Sequence, residues 1–137
     1  MQKRKSISII LVAILLIIAI IYYFTPKTFG QVINPSDVDH INVFDGNTGV
    51  GFTIDNPEDI KYIVENIQSK SMRRSGISIG RVGYLFSITY VDSNDKAIVS
   101  TFFINGEDTI RKDPFFYRCD GGLCVDYLEE LENKLGD

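Results

Sequence analysis

From Ser6 to Phe24 the chain carries no charged residue, and only Ser6 and Ser8 are plainly polar. No other feature restricts the fold so strongly. At ~1.5 Å rise per residue these 19 residues form a helix of roughly 28 Å, close to the hydrocarbon thickness of a bilayer. A core helix in a small domain needs a polar stripe toward solvent, and this segment has none. The segment reads as a membrane span.

The flanks orient it. Lys3, Arg4 and Lys5 precede the span, and Lys27 is the one cation close behind it. The positive-inside rule then keeps the N-terminus cytoplasmic and sends the remainder outward. Tyr22, Tyr23 and Phe24 suit the far interface, where aromatic rings meet head groups. A cleavable signal peptide shares the charged start and apolar run, but its apolar region is shorter and ends in small residues. Here Tyr22-Tyr23-Phe24-Thr25-Pro26 is bulky where a peptidase needs small side chains, which predicts a retained signal-anchor. The expected organisation is a cytoplasmic tail at 1–5, a span at 6–24, a linker at 25–37 containing Pro26, Gly30 and Pro35, and an extracytoplasmic domain at 38–137.

Setting aside the three N-terminal cations leaves 11 Lys and Arg against 18 Asp and Glu, a net charge near −7 for the outer part. Such a surface disfavours nucleic acid as a partner, since phosphate binding needs a dense basic patch. It also disfavours broad adhesion to anionic polymers.

Periodicity sets the fold class of the outer part. Ile41 and Val43 alternate with polar residues before Asp45-Gly46-Asn47-Thr48-Gly49, and Val50, Phe52 and Ile54 alternate after it. Alternation on both sides of residues that tolerate positive φ predicts a β-hairpin. Asn56-Pro57-Glu58-Asp59 is a helix start, with a capping amide, a proline for the first turn and acids for the dipole. Ile60, Ile63, Val64 and Ile67 then share one helical face. Tyr84 to Tyr90 and Ile98 to Ile104 predict a second hairpin around Asp92-Ser93-Asn94-Asp95. Short extended pieces follow near Thr109–Arg111 and Phe115–Tyr117. Cys124, Tyr127, Leu128, Leu131 and Leu135 give a closing amphipathic helix. The expected fold is α+β: the membrane helix, then a mainly antiparallel sheet of five to six strands in the order ββα-βββ(β)-α, with two helices on one face.

Taken together, the charged start, bare helix, Pro-Lys-Thr-Phe tether, Asp-Gly-Asn-Thr-Gly hairpin and Asn-Pro-Glu-Asp-Ile helix resemble small membrane-anchored proteins of Gram-positive bacteria that carry a domain of unknown function. The resemblance implies a membrane-anchored protein and brings no catalytic or binding residues with it. Cys119-Asp120-Gly121-Gly122-Leu123-Cys124 lies outside the pattern.

Several motifs fail on context. Gly76-Ile77-Ser78-Ile79-Gly80 fits G-x-S-x-G, but a strand follows it and the sole histidine, His40, precedes it. Ser93-Asn94-Asp95-Lys96 fits S-x-x-K inside a hairpin turn rather than at a helix start. Counting an EF-hand from Asp45 or Asp92 puts Val50 or Ala97 where glycine is needed, so these acids are read as turn formers. His40 has no second histidine with which to share a metal. No cofactor, metal or catalytic residue is assigned.

Two features stay open as candidates. Lys70, Arg73, Arg74 and Arg81 gather cations and glycines in an otherwise acidic domain. They form either a flexible anion- or partner-binding loop or a charged edge that blocks sheet-to-sheet association. Cys119 and Cys124, separated by four residues including two glycines, form a disulfide, remain buried thiols, or contribute to a metal site short of ligands. With no nucleophile–base pair and no metal cluster in the sequence, the expected function is a non-enzymatic protein- or peptide-binding module. The alternative is a sensor or accessory subunit acting through its span. External protease on intact cells should digest the region after Thr25 while the mature chain still begins near Met1. Recovery of a soluble form trimmed after the apolar run would overturn the anchor.

Overall fold

A computed structural model describes residues 2–28 and 32–136; Met1 of the expected tail and Gly30 of the expected linker lie outside them. Helix α1 (Gln2–Phe24) is the one helix among the described residues long and apolar enough to cross a membrane, and its apolar stretch is entirely unburied. The domain after it contains β1 (His40–Asp45), β2 (Gly51–Ile54), α2 (Pro57–Gln68), β3 (Met72–Ile77), β4 (Phe86–Val91), β5 (Phe102–Gly106), β6 (Thr109–Lys112), β7 (Phe115–Cys119) and α3 (Val125–Leu135).

The α+β class is as expected, but the sheet has seven strands rather than five or six, in the order β2-β1-β4-β5-β6-β7-β3. All pairings are antiparallel. The unexpected strand is β3, which carries only one buried apolar residue, Met72, and is built by pairing with β7. Strand β5 also begins later than its apolar run, at Phe102. The stretch before it is held to β4 by the Val91–Ala97 bridge, the Ile98 amide bonded to the Tyr90 carbonyl at 2.9 Å and the Thr101 hydroxyl paired with that of Thr89 at 2.8 Å.

Register explains the core. Ile41 faces Ile54 and Tyr90, Val43 faces Phe52 and Ile88, and Phe86 and Ile88 face Ile104 and Phe102. Ile60, Ile63, Val64 and Ile67 of α2 and Val125, Leu128 and Leu131 of α3 join them in one cluster. Burying a Val, Leu, Ile or Phe side chain contributes about 1.5–3 kcal/mol, so this shared layer holds helices and sheet together. Asn56 caps α2 as expected, accepting from the amides of Glu58 at 2.8 Å and Asp59 at 3.3 Å, an arrangement that contributes about 1 kcal/mol. The stretch read as a linker also enters the fold. Ile33 is buried, and the Gln68 side chain bonds both its amide and its carbonyl.

In the first hairpin the positive φ belongs to Gly49, at +77°. Gly46 serves another purpose: a Cβ there would stand 2.4 Å from the Tyr84 carbonyl oxygen. Here the chain comes alongside β1, the Gly46 amide bonding the Leu85 carbonyl at 2.8 Å, after crossing from β3 to β4, which point the same way with β7, β6 and β5 between them. Residues 78–85 must therefore span about 19 Å of sheet, within the ~27 Å that eight extended residues reach.

Tyr90 is fully buried, and its hydroxyl has no hydrogen-bond partner. Burial, with the Cys124 thiol nearby, pushes the phenol far above its ordinary range. A buried hydroxyl without a partner costs about 1–3 kcal/mol, so Tyr90→Phe should stabilise the fold by about 1 kcal/mol. The expected readout is a higher urea midpoint at constant slope; an unchanged midpoint would mean that a buried water satisfies the hydroxyl.

Candidate functional site

The four candidate cations do not converge. Lys70 follows α2 and places its Nζ 3.7 Å from where a Cβ on Gly121 would stand. Arg73 is exposed and lies opposite Arg118 on the face away from the core, a like-charged pair at a sheet edge. Arg81 is in the crossing segment, where its backbone carbonyl accepts from Arg111. Arg74 turns toward α1, its guanidinium 5.7 Å from the Tyr22 ring centroid, 5.3 Å from Tyr23 and 4.7 Å from Phe115. The stretch is thus an edge strand followed by a crossing segment, not one flexible loop around a common ligand.

Two cations outside that set hold more structure. Lys27 lies 4.2 Å above the Tyr22 ring, and its backbone pairs with Met72 at 2.7 and 2.6 Å. Arg111 is buried on the face opposite the core and sits 4.1 Å over the Phe103 ring. Its Nη1 donates to the carbonyls of Arg81 at 3.1 Å and Gly83 at 3.3 Å, and its Nε lies 3.7 Å from the Asp113 carboxylate. Alternation marks Arg111 only as an outward residue of a short strand. Its burial follows from the segment that crosses above it.

The motif residues take structural roles. Ser78 is buried and donates its hydroxyl to Asp113 at 2.5 Å, while His40 pairs with Asp39 at 2.9 Å with four strands between β1 and β3. Asp45 accepts from the amides of Asn47 and Thr48, and Asp92 from those of Asn94 and Lys96. The Lys96 amide, followed by that of Asn94, holds the Asp92 carboxyl below its ordinary range. These acids form turns, as their spacing implies. Among the described residues, no three His, Cys, Asp or Glu side chains gather as a metal site.

One concavity combines apolar floor with charge. Around a short 3₁₀ turn at Pro35–Asp37, itself capped by Asn34, a cleft of about 570 Å³ opens against the start of α2 and the β4–β5 turn. Buried Val38 and Ile60 contribute apolar surface, Ser93 closes one side, and Asp37, Asp39 and Asp55 supply exposed carboxylates. Among the described residues neither Asp37 nor Asp55 is ion-paired. Three negative charges beside apolar surface suit a cationic group on an aliphatic stem. Asn34-Pro35-Ser36-Asp37 reads in the sequence as part of the linker, and the convergence of Asp55 and Ser93 on it is a product of strand order. Compared with family models, curated proteins and solved structures, the chain matches none.

Cys119 and Cys124 are free thiols, both buried, rather than a disulfide. Cys119 shares its register position with Met72 and Cys124 stands at the start of α3, so each packs as a small apolar group. Burial pushes both thiols up from 9.0 to about 11. Raised values favour the neutral form in the fold, so their contribution to stability is present at neutral pH and is lost as pH rises through the folded value. The native protein should resist iodoacetamide at pH 8, and both thiols should label in urea without reductant. Absence of labelling in urea would demonstrate a bridge.

Proposed function

We propose that this chain is a single-pass, membrane-anchored, non-enzymatic module, N-terminus cytoplasmic, that binds a protein or peptide partner outside the cytoplasmic membrane. The observation that carries the reading is the acidic cleft with its apolar floor, a concavity able to take an extended ligand. The complementary partner is a segment in which Lys or Arg adjoins an aliphatic residue. The apolar stretch at Ser6–Phe24 and the cations before it support the anchor. A sensor or accessory role has support in a different observation. Helix α1 is joined to the sheet through Tyr23 against Phe115, ring centroids 6.2 Å apart, and through the Arg74 stack.

The test uses the full chain in lipid nanodiscs and a set of Lys- and Arg-containing peptides. Replacing Asp37, Asp39 and Asp55 together by Asn should weaken binding about tenfold, at about 0.5 kcal/mol for each exposed charge contact. Unchanged affinity would remove the cleft from consideration. Exchanging the span for an unrelated apolar helix should leave binding intact if the helix only displays the domain, and should alter the cellular response if it transmits a signal.

A further inference from the structure

The edge of the sheet next to α1 combines exposed apolar residues with cations, and strand direction tells which way it faces. Lys27 pairs with Met72, whereas Tyr22 and Tyr23 lie against Arg74 and Phe115. From Lys27 back to Tyr22 the chain therefore runs along β3 toward Ile77, whose cross-strand partner is Phe115. The span departs past the Ile77 end of the sheet. At that end the Ser78 amide bonds the Pro114 carbonyl and the Arg81 amide bonds the Ser78 carbonyl, both at 2.9 Å, which fastens the start of the crossing segment to the β6–β7 turn. Ile77, Ile79 and Val82 are 63, 74 and 95% exposed. Three aliphatic side chains this exposed within six residues, beside the turn that closes this end of the sheet, suit a contact surface. Beside them, Arg74 is half-buried against Tyr22, Tyr23 and Phe115, its Nε enclosed among them. A half-buried guanidinium stacked on aromatic rings at a sheet edge can turn its terminal N–H groups, not the enclosed Nε, toward a phosphate oxygen.

We propose that the β3–β7 edge is seated on the lipid surface from which α1 emerges. Ile77, Ile79 and Val82 enter the headgroup layer, and Lys27 and Arg74 face lipid phosphates. This rests on the reading of α1 as a retained anchor. The apolar side chains gain by leaving water, and the aromatic rings at the end of α1 lie at the depth where such rings accumulate. The acidic surface around Asp37, Asp39 and Asp55 lies by β1 and β2, across the sheet from this edge, and does not oppose the contact.

The chain has no tryptophan, so single tryptophans report position without background. Full-length Ile14→Trp, Ile79→Trp, Val82→Trp and Thr53→Trp are reconstituted in phosphatidylcholine–phosphatidylglycerol nanodiscs with brominated acyl chains. Ile14→Trp, in the span, should lose most of its emission to bromine. Ile79→Trp and Val82→Trp should show a clear loss, and Thr53→Trp on the opposite edge none. Quenching of Ile14→Trp with Ile79→Trp and Val82→Trp as bright as Thr53→Trp would overturn the seating and leave the anchor intact. An unquenched Ile14→Trp would overturn the anchor itself. Adding Lys27→Ala and Arg74→Ala to Ile79→Trp should reduce its quenching, whereas full retention would remove the phosphate-facing role of the two cations.

Discussion

The outer face of the sheet depends on one buried cation. Strands β3 and β4 run in the same direction with three strands between them, so the chain has to cross the open face to join them. A crossing backbone brings carbonyls that need donors away from water. Arg111 provides them, donating to the carbonyls of Arg81 and Gly83 while its guanidinium rests on Phe103. Asn105 adds a second donor to Gly83 at 2.9 Å. Ring contact and two acceptors together lower the cost of burying the charge, with Asp113 close enough to balance it. Arg111 therefore fixes the path that delivers Tyr84 over Gly46 and presents Ile79 and Val82 at one end of the sheet.

The opposite face obeys a simpler rule. Apolar residues two apart on the strands and three or four apart on α2 and α3 meet in one layer, and few polar groups enter it. Tyr90, Cys119 and Cys124 are among the chemically active groups inside it, and burial raises the pKa of all three. A neutral interior of this kind favours packing over chemistry. The helices are further tied by Tyr127, whose hydroxyl donates to Asp59 at 2.5 Å, and that hydrogen bond raises the phenol to about 12.

Charge is divided across the width of the sheet. Lys27, Arg73 and Arg74 lie at the β3 edge, and Asp37, Asp39 and Asp55 border β1 and β2. Five strand spacings separate β3 from β1, about 24 Å at ~4.8 Å each, against a screening length of about 8 Å at physiological salt. The two regions therefore act independently. One adjoins the long apolar helix and the other lies at the far side of the sheet from it.

How much of this was legible in the sequence follows from the kind of interaction involved. Local signals were enough for α1, the capped start of α2, the first hairpin and the turns at Asp45 and Asp92, because each is set by neighbouring residues: an uninterrupted apolar run, a capping amide, an Asp that bonds amides two to four positions onward. Strand β3 was not legible, since Met72-Arg73-Arg74-Ser75-Gly76-Ile77 has no alternation of apolar and polar residue types and becomes a strand through hydrogen bonds to β7. For the same reason the cations looked like one cluster along the chain, while strand pairing sends Arg73, Arg74 and Arg81 to different surroundings. The burial of Arg111, the need for glycine at 46 and the meeting of Asp37, Asp39, Asp55 and Ser93 were likewise decided by tertiary structure. Sequence by itself determined which segments are apolar, where they start and where they turn. Strand order, a long-range property set by how the whole core packs, decided which side chains share a surface.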